Sequence, residues 1–216
     1  MKTINILLIT LSLFLFSCNQ SEPNSNFQQP TFINKLLQKT KSIDKIDTIH
    51  ILPFGNVKKS VIDDVVKGLT DFYHKEIVIE KSIPLDNKLL AASKTRFSAD
   101  SILKRFKSSK NILVITEVDI VHPKEKVTNE FGIFGLGLKP GPVCVISSFR
   151  LKKNASPKLF TERLHKVSIH EVGHNLGLHH CTKDPECMMT AANGTIKQVD
   201  DEKMMFCDYC RNIIGI

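Results

Sequence analysis

The stretch from His170 to His180 reads HEVGHNLGLHH, and it decides how the rest of this 216-residue chain is interpreted. His170 and His174 are four positions apart, so on an α-helix both imidazoles project from one face and can bind a single metal ion. Glu171 follows the first histidine and can reach a reacting water beside the metal without being a ligand itself. The alternative is a helix with two surface histidines. The spacing favours a metal site built on one helix.

A third histidine ligand is expected where the chain turns back after this helix. Gly177 can adopt the left-handed conformation that ends a helix, and the turn would bring His180 toward the other two histidines. His179 is the competing candidate, but the spacing after Gly177 favours His180. Three protein ligands leave the fourth tetrahedral position of a zinc ion open, which is the arrangement of catalytic zinc sites.

Four cysteines follow the histidine motif. Cys181 comes directly after the third histidine, Cys187 lies six positions further on, and Cys207 and Cys210 form a Cys-x2-Cys pair. Such a pair is typical of zinc knuckles, whereas the gap between the first two cysteines is longer than usual. Two disulfides are the alternative outcome, because an exported protein meets oxidising conditions.

The extended histidine motif resembles that of the metzincin zinc proteases, and the residues after it narrow the resemblance to the archaemetzincin family. In that family the third histidine is followed by the pattern Cys-x4-Cys-x-Met-x17-Cys-x2-Cys. Here five residues, Thr182 to Glu186, separate the first two cysteines instead of four, which puts the geometry of the cysteine site in question. A weaker similarity extends over most of the body, from about Ile49 through residues 143–151.

The resemblance implies a role for each residue of the motif. His170, His174 and His180 would bind the catalytic zinc, and Glu171 would be the general base. Met189 would form the methionine turn, an apolar floor beneath the metal site. The cysteines that would hold a second, structural zinc are Cys181, Cys187, Cys207 and Cys210. Two Zn²⁺ ions per chain and a peptidase, with aminopeptidase action among the possibilities, are therefore expected.

The pattern upstream of the motif indicates alternating strands and helices. Apolar or alternating runs predict strands at residues 47–53, 76–80, 112–118 and 143–149, and helical spacing predicts helices at residues 61–72, 98–106 and from Ser156-Pro157 to about Gly177. The glycine-punctuated residues 131–141 are expected to form a loop or a bulged edge. We expect an α/β (α+β) metzincin-like zincin fold: a mixed twisted sheet, an active-site helix and a Cys-rich C-terminal segment. By the resemblance, substrate would pair with an edge formed by residues 143–149.

The N-terminus is typical of an exported lipoprotein. Lys2 and the apolar residues 4–16 read as a signal peptide, and the run ends in Leu-Phe-Ser followed by Cys18, which resembles a bacterial lipobox. The predicted organisation is a signal peptide at 1–17, a lipid-anchored flexible tether at 18–43 and a single peptidase domain at 44–216. The expected location is the bacterial cell envelope, periplasmic or outer surface. A plain secreted protein and an uncleaved anchor are the alternatives.

Charge and composition limit the classes of partner. The formal net charge is +8, but Lys provides 25 of the 30 basic residues and they are scattered along the chain. Arg is the residue suited to bidentate phosphate recognition, so we expect no nucleic-acid partner. A monomer that acts on a peptide or protein substrate is expected. A zinc-containing binding lipoprotein without turnover is the competing hypothesis, and Glu171 argues against it because a pure binder has no need of a base.

The remaining cysteine and histidines of the body are expected to have no part in the chemistry. Cys144 lies inside a predicted strand and reads as a buried apolar residue. The histidines without partner spacing are His50, His74, His122 and His165, and we interpret them as structural or surface residues.

Overall fold

The computed structural model describes residues 48–107, 110–123, 130–138, 141–191 and 194–216. The expected signal peptide, Cys18 and the tether therefore lie outside the described residues. Within the described ranges, no helix combines the length and the apolar character that a membrane crossing requires.

The elements of the fold alternate through most of the chain. In order they are β1 (Thr48–Pro53), α1 (Lys59–Tyr73), β2 (Glu76–Ile79), β3 (Phe97–Ser98), α2 (Ala99–Arg105), β4 (Ile112–Thr116), β5 (Ile120–Pro123), β6 (Glu130–Ile133), β7 (Gly135–Gly137), β8 (Val143–Ser147), α3 (Pro157–Asn175), α4 (Ile196–Asp201) and α5 (Asp208–Ile214). The strands and helices predicted upstream of the motif are confirmed within a few residues at their ends.

A five-stranded mixed sheet forms the centre of the molecule. Its strand order is β2-β1-β4-β8-β7, with parallel pairing throughout except for β7, which runs antiparallel to β8. A smaller sheet has the order β3-β5-β6. The mixed sheet that the sequence predicts is thus confirmed.

Both faces of the large sheet are covered, which explains why β4 and β8 are buried along their whole length and apolar up to their last residues, Thr116 and Ser147. Successive side chains of a strand point to opposite faces. Leu113 of β4 therefore joins the core cluster that contains Leu69 of α1 and Val172 of α3. The next residue, Val114, packs in the other cluster with Ile102 of α2. The core therefore has two parts, one on each side of the sheet, and in each part helices pack against the sheet.

Helix α3 runs across the face of the sheet and carries the histidine motif. The Ser156 hydroxyl accepts a hydrogen bond from the backbone N–H of Leu159 at 3.2 Å, and Pro157 occupies the first turn, where its missing N–H costs nothing. The helix ends at Asn175, and Gly177 takes the positive φ of +103° that turns the chain away. The predicted start and end of this helix are confirmed.

One expectation about the fold is wrong. Residues 143–149 do not form an edge, because β8 stops at Ser147 and is paired with β4 on one side and β7 on the other. The glycine-rich stretch supplies the edge strand instead, so the outer strand of the sheet is β7. The Cys-rich C-terminal segment is present as expected, and it also contains the short helices α4 and α5. They are six and seven residues long, which is too short for a readable helical period.

Candidate active site and cysteine cluster

The structure brings the three histidines of the motif together. The ring centroids of His170 and His174 are 4.7 Å apart, and those of His180 lie 5.7 Å from the first and 5.1 Å from the second. One ligand nitrogen from each ring lies within 4.8 Å of the others. The two helical rings meet because residues four apart share a helix face, and the turn at Gly177 returns the third.

Backbone carbonyls fix which nitrogen of the helical histidines faces the common point. His170 Nδ1 lies 2.7 Å from the carbonyl oxygen of Met188, and His174 Nδ1 lies 2.7 Å from that of Leu178. A carbonyl oxygen can only accept, so each Nδ1 must donate its proton and each Nε2 keeps its lone pair. Histidine ligands of zinc have this arrangement. The donor set therefore fits a zinc ion with an open fourth position.

Glu171 is buried beside the histidines, with 8% of its surface exposed. Strand β7 lies directly against it: a Cβ added at Gly135 would come within 2.7 Å of both Cγ and Oε1 of Glu171. A Cβ at Gly137 would lie 2.9 Å from His174 Cβ and 3.1 Å from Glu171 Oε2. The absence of side chains at these two positions is what lets the edge strand approach the active-site helix.

These two glycines are functional residues that the sequence reasoning missed. The glycines of residues 131–141 predict a loop or a bulged edge, but glycine at alternate positions, with Leu136 between, is also the pattern of one bare face of a strand. This period-2 spacing of glycine is the sequence signal that predicts a strand with one bare face.

A turn at residues 187–190 forms the floor of the histidine site. The Thr190 N–H donates to the Cys187 carbonyl at 2.9 Å, which closes the turn, and Met189 within it is fully buried. A Cβ at Gly173 of α3 would lie 2.8 Å from the Met189 sulfur, so this glycine allows the methionine to pack directly under the helix between the two histidines. Met189 thus lies beneath α3 at the level of His170 and His174.

Buried hydrogen bonds anchor α3 on both sides of the motif. The Tyr73 hydroxyl donates to the carbonyl of Ile169 at 2.6 Å, and burial raises the pKa of this tyrosine well above its usual value. Asn175 Nδ2 donates to Asn111 Oδ1 at 2.8 Å and contacts Cys144 Sγ at 3.3 Å. Cys144 is fully buried, as expected, and its pKa is raised by burial and by the neighbouring Glu171. The role of Asn175 was not foreseen.

The four C-terminal cysteines form a second cluster. Sγ of Cys181 is 3.7 Å from that of Cys207, Sγ of Cys187 is 3.8 Å from that of Cys210, and all four sulfurs lie within 4.8 Å of one another. All four are free thiols, so the two disulfides considered as the alternative are not formed in this structure. Four thiolates bound tetrahedrally at about 2.3 Å would have sulfurs about 3.8 Å apart. The cluster therefore has the dimensions of a zinc site.

Backbone N–H groups support the sulfurs. Cys181 Sγ accepts from the N–H of Lys183 and Cys187 Sγ from that of Cys207, each at 3.4 Å. Burial raises the pKa of the Cys181 thiol, but hydrogen bonds from the N–H groups of Lys183 and Asp184 and from the Cys207 and Cys210 thiols together outweigh it and lower the pKa to about 7. Burial and the neighbouring sulfurs raise the pKa of Cys210. Negative charge cannot accumulate on all four sulfurs without a cation, which fits a metal centre.

The other histidines of the described residues lie outside both clusters. His50 pairs with Glu80 at 2.9 Å, and His122 pairs with Asp100 at 2.8 Å. His165 packs against Gly68, and His74 caps the end of α1. These positions agree with structural or surface roles.

Comparison with known proteins identifies the family. The sequence pattern of peptidase family M54 matches residues 45–215. The archaemetzincin of Archaeoglobus fulgidus is 30% identical over 166 residues, which cover 77% of this chain and 98% of that protein. The archaemetzincin of Natronomonas pharaonis is 26% identical over 177 residues, with coverages of 77% and 98%. The crystal structure of the Archaeoglobus protein complexed with malonate superposes with a TM-score of 0.67 at 28% identity, covering 77% of this chain and 99% of that one. The chain therefore belongs to peptidase family M54, the archaemetzincins, and is a zinc-dependent metallopeptidase.

Proposed function

We propose that His170, His174 and His180 hold the catalytic zinc and that Glu171 is the general base of peptide-bond hydrolysis. The observation that carries this proposal is the convergence of the three histidines next to a buried carboxylate. Zinc bound there supplies Lewis acidity, which polarises the scissile carbonyl and makes water easier to deprotonate. Glu171 takes the proton of the attacking water on a carboxylate oxygen and then gives it to the nitrogen of the leaving amine.

The edge strand β7 positions the peptide. It is the outer strand of the sheet, and Gly135 and Gly137 place its backbone against the base. An extended peptide that adds beside β7 by main-chain hydrogen bonding would lie along α3, with its amide close to Glu171. This places the substrate on β7 in place of the edge expected at residues 143–149. A carboxylate buried beside the histidines also favours turnover over the alternative of a non-catalytic binding protein.

The first test is Glu171→Gln, with Glu162→Gln as the matched control on the same helix. Loss of a general base lowers the rate by about 10²–10⁴-fold, whereas zinc content should stay the same because Glu171 is not a ligand. Glu162 lies at the surface, 3.9 Å from Lys158, so its amide variant should keep full activity. Peptide cleavage is followed by mass spectrometry and zinc by elemental analysis. Zinc lost from E171Q, or activity within tenfold of wild type, would contradict the assignment. The same mass spectra identify the termini of the peptide products, which distinguish endopeptidase from aminopeptidase action.

We further propose a second zinc in the cluster of Cys181, Cys187, Cys207 and Cys210. The sulfur separations of 3.7 and 3.8 Å support it, and so do the N–H donors around the sulfurs. The purified protein should contain about two zinc ions per chain, with its thiols protected from alkylation until metal is removed. One zinc per chain together with freely reactive thiols would contradict the second site.

The lipid anchor at Cys18 and the cell-envelope location also remain proposals, supported by the apolar N-terminal stretch that ends in Ser17-Cys18. Cys18→Ser should abolish lipid attachment, because only a thiol forms the thioether. Wild-type protein expressed with its N-terminus should enter the detergent phase of a phase-separation assay, and the variant should not. Recovery of the wild type in the aqueous phase would refute the anchor.

A further inference from the structure

A cavity of about 580 Å³ opens between the end of α2 and the segment 83–89 that follows β2, and we call it the α2 cavity. Its buried residues Phe54, Leu89 and Phe106 belong to the core cluster on the α2 side of the large sheet. Met189, the floor of the histidine site, belongs to the cluster on the other side. The sheet therefore separates the α2 cavity from the histidine site, and none of the groups assigned to hydrolysis lines it.

The interior of the α2 cavity is apolar and partly aromatic. The rings of Phe54 and Phe106 meet edge to face, with their centroids 5.6 Å apart. Ile83, Leu85 and Leu89 complete the apolar lining. Leu85 is 41% exposed, so this apolar surface continues from the interior to the mouth of the cavity. An apolar interior of this kind is the usual lining of a small-molecule site.

The volume of the α2 cavity limits the size of its occupant. It equals the share of about 19 water molecules in the liquid. A methylene group takes up about as much space as one water molecule, so a single alkyl chain of about 12 to 16 carbons fits. The two acyl chains of a phospholipid would need about twice that space. The size therefore favours an amphiphile with one chain.

The rim of the α2 cavity is positively charged. Lys88 and Arg105 line it, both are exposed, and neither forms an ion pair with a carboxylate in the part of the chain that the structure describes. Other arginines do pair with carboxylates, namely Arg96, Arg150 and Arg163. The Arg105 guanidinium lies over the Phe106 ring, 5.5 Å from its centroid. Asp86 also lines the cavity, but its Oδ1 accepts the N–H of Lys88 at 2.9 Å. Two positive charges against one negative favour an anionic head group.

The backbone around the α2 cavity offers few hydrogen bonds to a peptide. Its N–H groups donate within the protein at Phe54, Ile83, Lys88, Leu89 and Phe106. Pro84, which also lines the cavity, has no N–H. A peptide that entered would leave polar main-chain groups unpaired, which costs free energy, whereas an alkyl chain has no such groups. The lining therefore favours a hydrocarbon chain over a peptide.

We propose that the α2 cavity binds one long-chain fatty acid as its carboxylate. The alkyl chain lies among Phe54, Leu89 and Phe106, and the carboxylate binds Arg105 and Lys88 at the rim. The fork of a guanidinium matches the two oxygens of a carboxylate. The proposal is independent of the hydrolysis proposed above, because the two sites share no residue and lie on opposite sides of the sheet.

The first experiment measures affinity by calorimetry with the purified full-length protein, at probe concentrations below micelle formation. Tetradecanoate should bind at one site per chain, and decanoate, which is four methylenes shorter, should bind about 100-fold more weakly. Tetradecyltrimethylammonium has the same chain and the opposite charge, and it should bind at least about tenfold more weakly than tetradecanoate.

Arg105→Gln tests the head-group contact. This variant should lower the affinity for tetradecanoate by about tenfold or more, because a charged hydrogen-bond partner is lost. Arg211→Gln is the matched control, since Arg211 is an exposed arginine of α5 that does not line the cavity, and it should bind as wild type does. Equal affinity for the anionic and cationic probes, or equal affinities in R105Q and R211Q, would overturn the proposal.

The second experiment locates the bound chain. Tetradecanoate that carries a photoreactive diazirine at its chain end is irradiated with the protein, and the labelled peptides are identified by mass spectrometry. Residues 83–89 or 105–106 should carry the label. A label found only elsewhere, including at the histidine site where a carboxylate could bind zinc, would refute the site. Capture of the protein by phosphatidylglycerol vesicles without binding of tetradecanoate would refute the fatty acid as the occupant.

Discussion

Gly135→Ala tests whether the edge strand holds the catalytic base in place. The added Cβ would lie 2.7 Å from Cγ and Oε1 of Glu171. Carbon atoms in contact are normally at least about 3.5 Å apart, so the carboxylate would have to retreat by about 0.8 Å. A displacement of about 1 Å can cost a factor of 10² in rate. We expect kcat/KM of G135A to fall by about 30- to 100-fold.

The control for this variant is Gly68→Ala. Its Cβ would lie 2.6 Å from Cδ2 of His165, which is an equally close contact in a part of the core that has no catalytic group. Both variants should lose roughly 1–3 kcal/mol of unfolding free energy through overpacking, measured by urea denaturation. Only G135A should lose activity, and its zinc content should match that of wild type because the nearest atoms to the added Cβ all belong to Glu171. G135A retaining kcat/KM within about threefold of wild type, or equal activity losses in both variants, would refute the reasoning.

Four further variants test other parts of the structure. His180→Ala should lower zinc affinity, measured by metal titration, by about 100-fold or more, whereas His179→Ala should bind zinc about as tightly as wild type. Equal losses of zinc affinity in the two variants would mean that the third ligand is misassigned. Asp200→Asn should cost about 3 kcal/mol in urea unfolding, because the buried Arg163 loses its carboxylate partner at 2.6 Å. The Arg163 guanidinium holds the pKa of Asp200 below its usual value. The stabilisation by this ion pair is therefore present above about pH 4 and is lost as the pH falls through the folded pKa. D200N should lack this acid-induced loss of unfolding free energy, and the same pH dependence of stability in D200N and wild type would contradict the assignment. Cys210→Ser should reduce zinc from two ions to one per chain, and two ions in the variant would argue against the cysteine site.

The histidine site could be predicted from sequence because its geometry is local. The spacing of His170 and His174 places two rings on one helix face in any fold, and the glycine at position 177 brings His180 back within three residues. The neighbours that complete the site come from distant parts of the chain. Met188, which orients His170, is eighteen residues away, and the orientation depends on a turn whose position no local pattern reveals.

The edge of the sheet was misjudged for a different physical reason. An apolar run such as residues 143–147 is buried on both faces, which is itself a sign of a central strand. The true edge, Gly135–Gly137, has a low intrinsic preference for strands because glycine has no side chain to pack. Its conformation is set by the approach of α3, so the requirement for glycine becomes visible only when the helix and the strand are seen together.

The turn at residues 187–190 links the cysteine cluster to the histidine site. Its first residue, Cys187, contributes a sulfur to the cluster, and the next, Met188, accepts the hydrogen bond that orients His170. Met189 packs beneath α3 and its carbonyl accepts from the N–H of Cys181 at 2.7 Å. One short turn therefore carries a cysteine of the cluster and, next to it, the two methionines that support the histidine site.

This arrangement explains how the cysteine cluster can matter for catalysis without contacting substrate. Cys181 is both a cluster cysteine and the covalent neighbour of His180, and its N–H is tied to the turn that carries Cys187. The loop at residues 182–186 is thus held at both ends, and the four sulfurs lie within 4.8 Å of one another. Because the free energy of metal binding is also free energy of folding, a zinc ion in the cluster would stabilise the turn and the third histidine at the same time. Losing that ion should then weaken the catalytic site through the backbone, although every catalytic ligand is still present.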